Sequence, residues 1–184
     1  DIVAHEFTHG VVSHVVGDGG AVLDYGESGA LNEALADVLG LLIEGKSGQG
    51  RWLIGEDSSK VLRNLAKPGS LPTSWGPYRS HYDARYTGSG DDGGEHVNST
   101  IFSHAVYKMM TAAATSGVTD ETWAMVFYQS LHRLSPGAVF TDGRAAVLSS
   151  ATAQGFSEEQ LDAIADAFDS VGIIGAAASA AIAA

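Results

Sequence analysis

A mainly α-helical fold is what this 184-residue sequence predicts. Three observations carry that reading. Several stretches repeat apolar residues at the spacing of a helix face. Most of them open on a Ser, Thr or Asp able to cap a helix. Nothing reads as a strand with a two-residue alternation. The length suits one domain with a buried core, and an apolar fraction of 45% is that of an ordinary globular chain. The net charge of −12 argues against a nucleic-acid partner, whose phosphates need a basic surface. There is no cysteine, which excludes a disulfide scaffold and cysteine-ligated metal. No signal peptide opens the sequence, and no apolar run reaches membrane length.

Taken in order, Asp1 to Val16 predicts a helix with a broad apolar face of Ile2, Val3, Phe7, Val11, Val12, Val15 and Val16, closed by Gly17 and Asp18-Gly19-Gly20. A chain that opens directly on such a helix is expected to be a processed or truncated piece. The second helix, Ala30 to Glu44, is apolar on most sides and should be buried, with Asn32, Glu33 and Asp37 as its polar exceptions. From Gly45 to Gly94 the chain is irregular, rich in Gly, Ser, Pro and aromatic residues, with a short helical turn expected near Lys60–Leu65. So long an irregular stretch is more often a functional wall than a linker. Four helices follow, over Ser99–Ala114, Asp120–Leu134, Asp142–Gln154 and Ser157–Ser170. One lobe is thus expected over residues 1–172, and an Ala-rich, frayed tail over 173–184.

The chemistry concentrates in His5-Glu6-Phe7-Thr8-His9. On a helix, residues four apart lie on one face, so His5 and His9 can offer two imidazole nitrogens to one metal ion such as Zn²⁺. Glu6 sits about 100° round the helix, within reach of a water that the ion activates. Glu33 follows His9 by 24 residues, far enough for a turn and an antiparallel helix to return it as a third ligand. Asp37, one turn on, can accept the other ring N–H of His5. Two carboxylates on a buried face are costly unless paired or metal-bound.

These residues carry a resemblance. Asp1-Ile-Val-Ala-His-Glu-Phe-Thr-His-Gly-Val, Glu27-Ser-Gly-Ala-Leu-Asn-Glu-Ala-Leu-Ala-Asp37, Ile54-Gly-Glu-Asp57, Arg85-Tyr-Thr-Gly88 and Gly93-Gly-Glu-His96-Val-Asn together resemble the thermolysin-like zinc metallopeptidases, in register from Asp1 to about Gly172. The resemblance implies a multi-helical C-terminal lobe of a secreted zinc endopeptidase that cleaves before bulky apolar residues. It implies zinc ligands at His5, His9 and Glu33, a general base at Glu6, supporting roles for Asp37 and Asn32, and an oxyanion-stabilising His96 oriented by Asp91. It places Arg63 on a substrate carbonyl, and Ile2 and Leu62 in the pocket for the residue after the scissile bond.

The sequence also departs from that family. A second oxyanion donor, a tyrosine, is expected where Asp24 stands. Tyr25, one position later, serves only if the longer preceding loop re-registers. Of a family calcium site, Asp1, Glu44 and Glu56 match, whereas Arg51 and Leu53 do not, and a guanidinium among those carboxylates would take the place of Ca²⁺. The β-rich N-terminal lobe that supplies the opposite cleft wall is expected as a partner from the same protein. Two other readings compete. An aminopeptidase of the H-E-x-x-H class would need an acidic anchor for a substrate N-terminus, and no such motif is found. A non-enzymatic zinc-binding fragment would explain the missing wall, but not the intact catalytic positions.

Overall fold

The computed structural model describes residues 1–58 and 60–175. Its first helix, α1 (Ile2–Gly17), starts where the Asp1 carboxylate accepts the Ile2 amide at 2.5 Å, and stops at Asp18, whose left-handed φ of 52° ends the ladder. The second, α2 (Gly26–Glu44), begins earlier than the apolar pattern predicts, because Tyr25 is extended and the Gly29 amide already bonds the Tyr25 carbonyl at 3.1 Å. It is buried along nearly its whole length and forms the axis of the lobe, packed against α1 and the helices that follow. At Gly40 the two helices touch: a Cβ there would stand 3.3 Å from the backbone of both Asp1 and His5. The residue without a side chain therefore lets the His5 backbone approach α2.

The irregular segment contains two small antiparallel ladders, which no apolar alternation in the sequence announces. Strand β1 (Leu53–Ile54) pairs with β2 (Arg63–Asn64), Ile54 opposite Arg63. The helical turn expected near Lys60–Leu65 is therefore a correction. Leu62 and Leu65 donate backbone bonds to Ile54 and Trp52 at 2.7 and 2.8 Å, and that pairing replaces a local turn. The second ladder is the hairpin β3 (Pro72–Thr73) and β4 (Gly76–Pro77).

Helix α3 (Asp91–Thr111) begins well before the expected Ser99. Its first turn is not helical, since Asp92, Gly93 and Gly94 have φ values of 47°, 79° and 91°. A Cβ on Gly93 would fall 2.9 Å from the Tyr25 ring, and one on Gly94 would fall 2.5 Å from the Asn98 amide nitrogen, so both the backbone and the space require glycine. Helices α4 (Asp120–Leu131), α5 (Phe140–Ala153) and α6 (Glu158–Asp169) complete the lobe close to their expected ranges. Ser157 caps α6, and the Asp142 carboxylate reaches back to the Val139 amide at 2.9 Å. One core joins them, with Leu31, Leu35, Ile101, Phe102, Phe127, Phe140 and Phe168 all essentially sealed from water. Ile173 still belongs to this core, its carbonyl accepting from Arg144 at 2.6 Å. The rest of the Ala-rich tail, 176–184, lies outside the described residues. Among the described residues no helix is long and apolar enough to cross a membrane.

Candidate metal centre

Helix periodicity stacks His5 over His9 on the face of α1 that meets α2, their rings edge to face with centroids 4.7 Å apart. Their Nε2 atoms lie 3.1 Å from each other. From α2, Glu33 brings Oε1 to 3.2 Å from His9 Nε2 and Oε2 to 3.5 Å from His5 Nε2. Two imidazole nitrogens and a carboxylate thus converge on one point, as the spacing predicts. Burial works against the Glu33 charge, but its hydrogen bond from His9 and the nearby Arg63, His5 and His96 outweigh it and hold its pKa at about 2. His9 is pushed upward, chiefly by the same bond to Glu33. The corner between them favours a positive charge.

Polar side chains stand behind both imidazoles. His9 Nδ1 meets Asn32 Oδ1 at 3.0 Å, and Asn32 is fixed in turn by donating to the Leu23 carbonyl at 3.2 Å. With Nδ1–H given to Asn32, a cation that displaces the Nε2 proton now shared with Glu33 would meet that nitrogen's lone pair. His5 Nδ1 stands 3.0 Å from Asp37 Oδ1, though out of hydrogen-bond alignment. The fully buried Asp37 is engaged instead by Arg63, through Nε and Nη2, both at 2.7 Å. Burial opposes the guanidinium charge, yet Asp37, and then Glu33, keep its pKa raised. Arg63 still lines the cavity, but the expected carbonyl-binding fork is first a clamp on Asp37.

In front of the ligands lies a cavity of about 500 Å³. Glu6 faces it from α1, and Ile2, Ile54 and Leu62 supply an apolar part of its lining. His96 and Asp91 line it from the start of α3. Asp91 Oδ1 takes His96 Nδ1 at 2.9 Å, while Oδ2 accepts the His96 and Val97 amides at 3.1 and 2.8 Å. One carboxylate therefore caps the helix and turns the imidazole. His96 Nε2 then points toward Glu33, 3.8 Å from Oε1.

Tyr25 is not brought into the cavity. It is exposed, extended at the N-terminus of α2, with its ring against Gly93. The sequence reading missed Thr73, Ser74, Trp75 and Tyr78, which wall the cavity from the β3–β4 hairpin and just beyond. The signal for that hairpin was present in Pro72-Thr-Ser-Trp-Gly76-Pro77, a run with turn-forming residues at both ends.

A second group, Asp1, Glu44 and Glu56, also converges, where α1 begins and α2 ends. Here Arg51 does not join it. Its 3₁₀ turn aims it across the Trp52 ring to Asp120, 2.8 Å away. Lys46 takes that place, its ammonium bonded to Glu56, to Asp57 at 2.6 Å and to Glu44 at 3.1 Å. Both Asp1 carboxylate oxygens accept amides, from Ile2 and Gly55, each at 2.5 Å. The donor set does not fit a divalent ion while Lys46 is in it.

A helical lobe in which two histidines one turn apart meet a glutamate from the next helix, beside a cavity holding an acid and an oriented histidine, has the architecture of a metallopeptidase. Residues 21–173 match the thermolysin metallopeptidase alpha-helical domain, and the chain belongs to that family. It is 35% identical over 186 residues to the bacillolysin of Brevibacillus brevis and 38% identical over 184 residues to the gelatinase of Enterococcus faecalis, each alignment taking in 94% of this chain and 33% of the relative. The chain therefore spans about a third of the length of the curated relatives it matches. In structure it resembles the precursor of protealysin, a metalloproteinase from Serratia proteamaculans, with a TM-score of 0.75 and 26% identity over 94% of this chain and 56% of that one.

Proposed function

We propose that this chain is the catalytic helical lobe of a secreted zinc endopeptidase that hydrolyses peptide bonds before bulky apolar residues. The observation that carries this reading is the convergence of His5, His9 and Glu33 at the wall of a cavity that also holds Glu6. Glu33 Oε2 supports it further: Arg63 Nη2 stands 3.3 Å away but bonds Asp37, so Oε2 is buried without a hydrogen-bond partner among the atoms that would surround an ion. Zinc held there would supply Lewis acidity, polarising a peptide carbonyl and lowering the pKa of a water. The other steps belong to the chain. The Glu6 carboxylate takes the proton of the attacking water and passes it to the leaving amine. His96 offers Nε2–H to the peptide oxygen as negative charge develops, with Asp91 fixing the ring. The apolar end formed by Ile2, Ile54 and Leu62 receives the side chain after the scissile bond, and Arg63 positions the backbone with the nitrogen that Asp37 leaves over.

Replacing Glu6 by Gln should leave metal content unchanged and lower kcat by about 10²–10⁴-fold, the range of general-base catalysis. Undiminished hydrolysis by that variant would remove Glu6 from its role.

The same reading includes a second lobe of the same protein. Val3 and Phe7, one turn apart on the outer side of α1, are 84% and 69% exposed. An apolar stripe of that kind marks a partner surface, and a β-rich lobe seated there would supply the opposite cleft wall. A form extended upstream of Asp1 should cleave one apolar-P1′ peptide with higher kcat/KM than this chain alone. Equal values would contradict the second wall. The family's calcium has no place in this reading, because Lys46 already neutralises the carboxylates that would bind it.

A further inference from the structure

The cavity wall with no assigned role is the β3–β4 hairpin, and it presents an aromatic ring. Trp75, at its turn, is 41% exposed and lines the cavity. Its backbone is fixed from several sides. The Trp75 amide donates to Thr73 Oγ1 at 3.0 Å, that hydroxyl donates to the Gly76 carbonyl at 2.6 Å, and Arg79 Nη2 donates to the Trp75 carbonyl at 3.0 Å. The indole is fixed as well. One face stacks on Tyr86, with centroids 6.4 Å apart and planes 18° from parallel. Its edge rests on Gly90, where a Cβ would stand 3.3 Å from Trp75 Cζ2. Tyr86 is itself locked, exchanging backbone bonds with the Asn98 side chain at 2.8 and 3.0 Å. Gly90 immediately precedes Asp91, the residue that orients His96. The indole is therefore held in register with the catalytic histidine.

A large apolar ring that is preorganised and left wet beside a substrate cavity loses no conformational freedom when a ligand covers it. Its chemistry selects the ligand, because aromatic rings attract one another in offset or edge-on geometry beyond what their buried area alone provides. We propose that Trp75 is a specificity residue, a platform on which the peptide substrate stacks an aromatic side chain. That side chain comes from a position other than the one whose residue enters the Ile2/Ile54/Leu62 end. The proposal deepens the peptidase reading and rests on it.

Two measurements on the zinc-loaded, full-length protein test it. The first compares kcat/KM for peptides carrying Phe or Ala in turn at each position flanking the scissile bond. The wild type should favour Phe by about 2- to 10-fold at one position outside the apolar end, the range set by an aromatic pair. Trp75→Ala should lose that preference, Trp75→Phe should keep part of it, and the preference for an apolar residue after the scissile bond should be unchanged in both. The second measurement reads binding without turnover. Of the three tryptophans of this chain, Trp52 and Trp123 are buried at 6% and 1% exposure, so Trp75 is the one in this lobe whose emission a cavity ligand can alter, and the part of the signal that Trp75→Ala removes is its own. In Glu6→Gln protein, a Phe-containing peptide should shift the fluorescence, and the same titration in Glu6→Gln/Trp75→Ala protein should not. An unchanged Phe preference in Trp75→Ala, or an emission shift that survives the loss of Trp75, overturns the platform and leaves the peptidase reading standing. A Trp75-dependent shift in a protein that cleaves no peptide would keep the platform and overturn the peptidase reading.

Discussion

The same two helices anchor two clusters of side chains able to ligate a metal, the second completed by Glu56 from the irregular segment, and the clusters are built for opposite ends. Midway along them, His5, His9 and Glu33 point their free atoms at a common centre, with Asn32 and Asp37 behind the imidazoles and Arg63, engaged on Asp37, standing 3.3 Å from Glu33 Oε2. At the other cluster, where α1 begins and α2 ends, the ligand atoms of Asp1 accept backbone amides, while Glu44 and Glu56 bond a lysine. The first site has kept its donors available for an external cation. The second has taken a covalently tethered one. The difference teaches that a set of carboxylates in the right places does not make a metal site; what the remaining neighbours do with those oxygens decides it.

Removing the support of the first cluster should have the largest effect. Asp37→Ala leaves Arg63 charged and buried without its two-point partner, with only Glu33 3.3 Å away, which costs up to about 3–5 kcal/mol, and it should weaken zinc binding by about 10–100-fold. Chemical denaturation and a zinc-competition titration would read the two losses separately, and a variant with wild-type zinc affinity would show that nothing behind His5 matters. At the second cluster the expected change is smaller and of another kind. Lys46→Met leaves Glu44, Glu56 and Asp57 facing one another, so the Tm should fall in a calcium chelator that spares zinc and recover when calcium is added. The wild type should be indifferent to calcium. A large calcium-dependent rise in the wild type would mean that the lysine is displaced.

The smallest effect is in pH. Lys46 is raised, first by Asp57 and then by Glu56, and Asp57 is lowered by Lys46. A depressed carboxylate contributes stability above its ordinary value of 3.8, and loses it as pH falls through the folded pKa. A raised lysine contributes below 10.5, and loses it as pH rises through its folded value. The Tm gap between wild type and Lys46→Met should accordingly be widest in the neutral range and close as pH falls below 3.8. A constant gap into acid would assign the effect to packing of the lysine stem.

Much of the first cluster was legible in the sequence because helix geometry is regular. The four-residue step from His5 to His9, and the same step from Glu33 to Asp37, fixes which side chains share a face. The outer helices were legible for the same reason, down to the Ser157 cap. What escaped lies in the irregular segment, where direction depends on turns rather than on a period. Arg51 was expected among the carboxylates and Lys46 was not, because a 3₁₀ turn decides where Arg51 points, and Lys46 follows the left-handed Gly45 that ends α2, neither being set by a spacing rule. Arg63 was read toward substrate, whereas β-pairing buries it on Asp37. The Trp75 hairpin is two residues per strand, too short for any alternation to show.

The central claim is that His5, His9 and Glu33 hold one zinc ion while the Lys46 cluster holds no metal. Elemental analysis of zinc and calcium in one dialysed sample tests it most directly, run on the wild type and on His9→Ala. We expect one zinc and no stoichiometric calcium per wild-type chain, and neither metal in His9→Ala. Stoichiometric zinc retained by His9→Ala, or calcium bound one to one by the wild type, would contradict the account.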